Sequence, residues 1–249
     1  MGKKFFLPFF YFINMKVVAF SDPHGYLPKA KDFPECDVVC IAGDICPLDV
    51  QRDLVESISW FLLEFKPWAE SLPCKKVIFV GGNHDFFLWH IGPQTNHTGS
   101  ELMKKLLRSK KGNSKLVYLQ DSSYEFEGKR FYGTPWIEDL QNWAFYLPPE
   151  ELEKKWSTIP RKFDVFISHM PPRRSGLGQV IQPGYNYGND YGSQLLAEIL
   201  GTRQFKYAIC GHVHSGQHYP IDYCGCKYVN VSIKDEDYKV KYDLFEFEI

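Results

Sequence analysis

The sequence has no surplus of basic charge. Its 29 Lys and Arg are matched by 30 Asp and Glu, for a formal net charge of -1. An extended nucleic-acid surface normally shows as a basic excess, so none is expected. There is no Cys-x-x-Cys pair either, and the nearest two of the seven cysteines are Cys224 and Cys226. That pattern argues against a Cys-based structural zinc site and reads as reduced thiols of a cytoplasmic protein. Several of these cysteines lie in or beside apolar runs, where a thiol packs as a small hydrophobe. No apolar stretch is long enough to cross a bilayer as a helix. The run from Phe5 to Ile13 is short, contains Pro8, and is followed by no small-residue cleavage site. Residues 1–14 are therefore read as an apolar N-terminal extension of no catalytic consequence, ahead of a single domain over residues 15–249. Internal repeats and low-complexity tracts are also absent, which leaves one ordinary globular unit as the expectation.

What the sequence does have is a set of short apolar runs that each end in metal-binding residue types. Val17 to Phe20 leads to Asp22-Pro23-His24, and Val38 to Ala42 leads to Gly43-Asp44. Val77 to Val80 leads to Gly82-Asn83-His84-Asp85, and Val165 to Ile167 leads to Ser168-His169. Ala208 to Cys210 leads to Gly211-His212-Val213-His214. Runs of this length read as buried strands. In a largely parallel sheet all five motifs leave from the carboxyl ends of the strands, the edge where open α/β sheets place their sites. Two Asp, one Asn and four His are thus expected at one place, with His84 beside them. A content of 44% hydrophobic and 16% aromatic residues supplies a substantial core for such a sheet.

Between the motifs the spacing predicts further elements. Leu54, Ile58, Phe61, Leu62 and Phe65 recur at helical intervals and predict a helix that stops before Pro67. A second helix is expected over 100–109, a third over 149–156 and a fourth over 192–200. Glu127-Gly128-Lys129 between Tyr124-Glu125-Phe126 and Arg130-Phe131-Tyr132 is a hairpin signal. At the tail, Val240, Tyr242 and Leu244 alternate in one phase, and Phe245, Phe247 and Ile249 in the other. That slip reads as a bulge or as burial on both faces. Trp136 and Trp143 are read first as packing residues and second as walls of a pocket.

Carboxylates, an amide oxygen and imidazoles, with no thiolates, suit Mn, Fe, Zn or Co. Seven donors are too many for one ion and about right for two. Two close cations need an anionic bridge, for which Asp44 is the natural candidate. Such a pair can clamp a phosphoryl group in transfer.

The motif order D-x-H, G-D, G-N-H-D, H, G-H-x-H resembles the calcineurin-like metallophosphoesterases over nearly the whole chain from Lys16. Tyr132-Gly133-Thr134-Pro135-Trp136, His169-Met170-Pro171-Pro172 and Tyr228-Val229-Asn230-Val231-Ser232 are most similar to the MPPED-type branch, related to class III cyclic-nucleotide phosphodiesterases. The resemblance implies a four-layer α/β/β/α sandwich with a dinuclear site. It implies Asp22, His24, Asp44 and His214 on one metal, and Asp44, Asn83, His169 and His212 on the other. Manganese is the first choice, with Fe, Zn or Co as alternatives. His84 would face the substrate and stabilise the transition state, and Asp85 would orient a nearby group. A hydroxide bridging the two ions would be the nucleophile. Pro47 stands where many members carry an Asp that partners the catalytic histidine, so a protein-phosphatase-like activity is not expected. The leading expectation is a phosphodiesterase for small substrates of the cyclic-nucleotide or nucleotide-like class. A phosphomonoesterase and a metal-bearing regulatory module are the competing readings. Arg173, Tyr185 and Tyr187, in the long segment 170–191, are candidate substrate contacts, with an exposed basic residue and loop packing as the plainer readings. The oligomeric state is left open.

Overall fold

The computed structural model describes residues 14–91, 103, 105–107, 114–184 and 186–249. Most of the helix expected over 100–109, Tyr185 and most of the apolar extension lie outside those residues; the described part of that helix, Met103 and 105–107, makes one helical bond, Leu107 N to Met103 O at 2.8 Å. Five strands form the first sheet: β1 (Lys16–Phe20), β2 (Val38–Ile41), β3 (Lys76–Phe79), β4 (Leu116–Tyr118) and β11 (Phe245–Glu248), in the order β11-β1-β2-β3-β4. Six form the second: β5 (Ser122–Phe126), β6 (Lys129–Thr134), β7 (Val165–Ser168), β8 (Tyr207–Cys210), β9 (Ile221–Tyr223) and β10 (Cys226–Asn230). Their order is β5-β6-β7-β8-β10-β9. The strands that carry the motifs run parallel to their neighbours: β1 with β2, β2 with β3, and β7 with β8. The antiparallel pairings are all at the margins, β11 on β1, β5 on β6 and β9 on β10.

Alternation along each strand explains why the runs are apolar throughout. Val17, Ala19, Val38, Cys40, Ile78 and Val80 project between the sheets and meet Val165, Ile167, Ile209 and Val229 of the second sheet. Val18, Phe20, Val39, Ile41, Val77 and Phe79 face the other way, toward Trp60, Phe61, Phe65 and Ala69 of the helical layer. A sheet buried on both faces has no polar side to show. On the second sheet Tyr132, Phe166, Ala208 and Tyr228 lie in the same cluster as Leu152, Trp156, Leu196 and Leu200. The last four belong to the helices Pro149–Ser157 and Gln194–Leu200. The result is the four-layer α/β/β/α sandwich expected from the sequence.

Two elements differ from expectation. The helix that starts at α1 (Leu54–Trp60) does not stop before Pro67. It widens into a π-helical turn over Phe61–Phe65 and continues as α2 (Lys66–Ser71). Proline clashes with the carbonyl one turn back and has no N–H to donate. The widened turn directly ahead of Pro67 relieves both constraints. At the tail only Phe245–Glu248 is a strand. Residues 233–242 fold back, with the Lys241 amide donating to Ile233 O at 2.9 Å. The phase slip marks the entry from that loop into β11. The hairpin is a two-residue turn in which both Glu127 (φ 46°) and Gly128 (φ 76°) are left-handed, as its twist requires.

Trp156 is fully buried, yet its indole N–H finds no acceptor among the described residues. Trp156→Ala should lower stability by about 3–5 kcal/mol through the cavity it leaves. Trp156→Phe should lose far less, because it also removes the unsatisfied donor. Chemical denaturation of the three proteins checks the order, and equal losses would contradict it.

Candidate metal centre

The two sheets meet at their carboxyl ends. Beyond β1, the Ser21 amide donates to Val231 O (2.8 Å) and the Ile233 amide to Ser21 O (3.1 Å), so the first sheet is stitched to the strand end of β10. Beyond β1 and β2 the two loops run side by side, with His24 N to Asp44 O at 3.0 Å and Gly25 N to Ile45 O at 2.9 Å. Each chain must then turn sharply to leave the edge. Asp22 (φ 56°), His24 (φ 42°), Asp44 (φ 55°) and His212 (φ 71°) all adopt the left-handed region at that point. Such backbone is uncommon outside glycine, although Asp and His tolerate it best, and it clusters where a side chain must be aimed. Gly82 and Gly211 serve the same end by close approach. A Cβ on Gly82 would collide with the Asp44 carboxylate, and one on Gly211 with Asp22 and Ser21.

The seven expected donors all arrive at this edge. His24 Nε2 lies 3.2 Å from His214 Nε2, His214 Nε2 3.6 Å from Asp22 Oδ1, and His24 Nε2 3.9 Å from Asp44 Oδ2. On the other side of Asp44, His169 Nε2 is 3.3 Å from Asp44 Oδ2 and 2.8 Å from Asn83 Oδ1. His212 Nδ1 is also 2.8 Å from Asn83 Oδ1. Two metal–donor bonds of about 2.1 Å at 90–110° would place their donor atoms roughly 3.0–3.4 Å apart. Asp44 is the residue common to both groups.

The tautomers make these contacts informative. His214 Nδ1 donates to Asp235 O (2.9 Å) and His169 Nδ1 to Ala42 O (2.8 Å). Their Nε2 atoms are therefore lone pairs when the rings are neutral, and they point at carboxylate, amide or imidazole acceptors. A buried hollow lined mainly by acceptors is unfavourable without protons or cations inside it. The donor set fits a pair of divalent ions. Left to protons, the same hollow perturbs Asp22, Asp44, His169 and His24. Burial disfavours charge on Asp22 and Asp44, but His214 and His169 outweigh it and hold both carboxylates well below their usual range. Burial also opposes charge on His169, yet Asp44 pushes it up to about 9. His24 goes the other way, down to about 3, because burial outweighs the attraction of Asp44.

His84 sits on the rim. Its backbone N–H donates to Asp44 Oδ1 (2.7 Å), and its Nε2 lies 3.8 Å from Asp44 Oδ2. It is close enough to His24 and Asp44 to serve as a donor with them, an option the motif order did not bring out. Its Nδ1 faces Gln51 Oε1 at 2.5 Å. A neutral amide thus occupies the role left open by Pro47. Asp85, by contrast, turns into the fold. It accepts from the amides of Gly82 (2.9 Å), Cys46 (2.9 Å) and Ile45 (3.3 Å), and burial raises it to about 7. It ties the Asn83 loop to the Asp44 loop and does not reach the cavity.

A cavity of about 280 Å³ opens over the donors, lined among others by Trp143, Asn186, Tyr191, Glu236 and Tyr238. Arg173 is not on its wall. Its guanidinium is spent on Gly192 O and Asp190 O, both at 3.0 Å, and holds the 170–191 segment to itself. Tyr187 points to solvent, 64% exposed. The same segment reaches the cavity with Asn186 and Tyr191 instead. Trp143 is a wall residue, its ring 4.5 Å from that of His84, whereas Trp136 is buried and donates to Asp121.

Several residues went unread in the sequence. Ser232, read only as part of the motif over 228–232, donates to Asp22 Oδ2 at 2.6 Å. Asp139 accepts from His212 Nε2 at 3.0 Å, which leaves Nδ1 unprotonated toward Asn83. Asp139, Gln51 and Tyr238 belong to no motif, since loops bring them in.

A family model described as calcineurin-like phosphoesterase matches residues 15–216. The UPF0046 protein T07D4.2 of Caenorhabditis elegans is 27% identical over 95% of this chain, which spans 60% of that protein's length. Human metallophosphoesterase domain-containing protein 1 is 28% identical over 90% of this chain and 68% of its own. The branch read from the motifs is therefore borne out. The solved structure of the Mycobacterium tuberculosis phosphopantetheinyl hydrolase shares the fold at a TM-score of 0.53. It is 16% identical and covers 90% of this chain and 91% of its own.

Metal content is the direct check on this geometry. Asp44→Asn should lose both ions, because Asp44 touches both donor groups. Asp139→Ala should weaken one ion by about 10- to 100-fold and spare the other, as removal of a carboxylate behind a ligating histidine does. Elemental analysis and calorimetric titration with Mn²⁺ measure both, and a fully loaded Asp44→Asn protein would reject the shared-carboxylate arrangement.

Proposed function

The chain belongs to the calcineurin-like phosphoesterases, and from that premise we propose that it hydrolyses phosphodiesters at a centre of two divalent ions. The acceptor-lined hollow shared through Asp44 carries this reading. Asp22, His24, Asp44 and His214 would hold one ion. Asp44, Asn83, His169 and His212 would hold the other. Manganese is the ion we assign first. Bound there, two such ions polarise a phosphoryl oxygen and activate water. We take residues 15–249 as one catalytic unit and residues 1–14 as an extension outside it. The seven free cysteines favour a reducing, cytoplasmic location.

The remaining chemistry belongs to the chain's own residues. His84 lies beside the reacting position, where its ring can stabilise charge on a phosphoryl oxygen or hydrogen-bond to a departing one. Gln51 orients that ring but, being neutral, gives an imidazolium no stabilisation of the kind a carboxylate would. Trp143, Tyr191 and Tyr238 offer aromatic walls for a planar ester group. Asp139 and Glu236 line the same cavity and oppose additional negative charge on the substrate. A diester carries one negative charge where a monoester carries up to two, so these carboxylates support the diester reading. Base stacking contributes roughly 1–3 kcal/mol, enough to favour nucleotide-like diesters over small ones by about 10- to 100-fold.

Catalytic efficiency should be higher on bis-p-nitrophenyl phosphate than on p-nitrophenyl phosphate, and higher still on a nucleotide diester. A panel of these with cyclic nucleotides, run with Mn, Co, Fe, Zn and Mg, checks the order. Equal or better efficiency on the monoester with every metal would point to a monoesterase. His84→Ala should keep both ions and lose about 10²-fold or more in kcat. Gln51→Glu should help diesters with poor leaving groups more than bis-p-nitrophenyl phosphate. Loss of metal in His84→Ala would make that residue a ligand, and a uniform effect of Gln51→Glu would remove it from the proton chemistry.

A further inference from the structure

At the opposite edge of the first sheet, β2 and β3 begin side by side, with Val38 registered against Lys76. Two residues upstream on each strand stand Cys36 and Cys74. The Cys36 amide donates to Pro73 O (3.3 Å), and the Lys75 amide to Asp37 O (3.0 Å), so the two cysteines are held across from one another on either side of that pairing. Both are half-buried, and both pack on the helical side of the sheet. The two thiols lie near enough to perturb one another, the Cys36 thiol upward and the Cys74 thiol downward. Lys115 reaches the same corner, with its Nζ donating to Glu70 O (3.0 Å) and Leu72 O (2.5 Å).

We propose that Cys36 and Cys74 form a reversible disulfide when exposed to a small-molecule disulfide such as oxidised glutathione. Each cysteine stands two residues ahead of a strand whose first residues are paired, Val38 with Lys76, which brings the two segments together at the start of the sheet as a short Cα separation requires. Cys74 attacks first. The neighbouring Cys36 side chain and the nearby Lys115 charge both favour its thiolate, and burial only partly opposes them. The Cys74 sulfur displaces one glutathione thiolate, which takes up a proton, and a mixed disulfide remains. The Cys36 thiolate then displaces the second glutathione and closes the protein disulfide. Two electrons pass from the protein thiols to the small disulfide, and two thiols are released. The bond would close the segment 36–74, which contains Asp44, Gln51 and the helices α1 and α2. It stands apart from the proposed catalytic centre, so its formation does not depend on the activity assigned there.

The native protein, incubated with oxidised glutathione and quenched with acid, is read by peptide mapping. The expected product is a cross-linked Cys36–Cys74 peptide pair, two hydrogens lighter than the reduced form and restored by dithiothreitol. Thermal unfolding of the oxidised protein should shift upward by about 5–10 °C, since closing a loop of this length restricts the unfolded chain. In Cys36→Ser, Cys74 should instead retain a glutathione adduct, because nothing resolves it. Unmodified thiols, or separate adducts on Cys36 and Cys74 in the wild-type protein, would overturn the proposal. So would a cross-link that forms as readily in urea-unfolded protein, since the proposal requires the folded register to bring the two together.

Discussion

Asp22 and Asp44 are both fully enclosed, close enough that each raises the cost of charging the other. Around them the imidazoles of His169 and His214 hand their Nδ1 protons to backbone carbonyls and turn their other nitrogens inward. When His169 is neutral its Nε2 faces the Asn83 oxygen at 2.8 Å as acceptor to acceptor. Desolvated negative charge of this kind is stable only beside a compensating positive charge. Protons on the histidines can supply part of it, and divalent ions in the same hollow can supply all of it. Much of the upper edge of the molecule is arranged around this one electrostatic demand.

The demand explains features that are unfavourable on their own. Four non-glycine residues at the edge hold left-handed backbone, each at about 1–3 kcal/mol. The return for that strain is direction: strands end level, and the next side chain must project along the strand axis, where an ordinary extended residue would send it to one face. Glycines at 82 and 211 let neighbouring backbone come close enough for amides to reach the carboxylates. Asp85 then locks two loops together through three amide donors, so the donors are fixed before any ion arrives. A sandwich suits this purpose because two parallel edges can converge on a common point from both sides.

The sequence made the strands and donors legible because both are local. An apolar run of four residues that ends in Gly-Asp or Gly-His carries its own meaning, and parallel topology then determines which end of the sheet it serves. The substrate wall was not local. Arg173 is a candidate substrate contact by its charge and its place after His169, with an exposed basic residue as the plainer reading; its guanidinium is taken up by carbonyls at Asp190 and Gly192. Cationic side chains in long loops often hold the loop itself together. Asp139, Gln51 and Tyr238 arrive from three separate loops, and no spacing rule links them to the histidines they touch. Pro67 misled for a related reason: a helix-breaking residue was weighed by itself, while the wider turn that admits it is a property of the packed helix.

Two histidines at the site differ in what stands behind them, and that difference bears on the chemistry. His212 is backed by the Asp139 carboxylate, whereas His84 is backed by the Gln51 amide. A carboxylate behind a ligating imidazole makes it a better donor and fixes its orientation. A carboxylate behind a proton-transferring imidazole would instead stabilise its charged form. In the proposed centre the negative charge would stand behind a metal-holding histidine and be withheld from His84. On the proposed reading this favours a firmly held centre over a strongly acidic histidine, and a leaving group would depart chiefly by its own stability. That fits a site whose cavity is rimmed by carboxylates and aromatic rings.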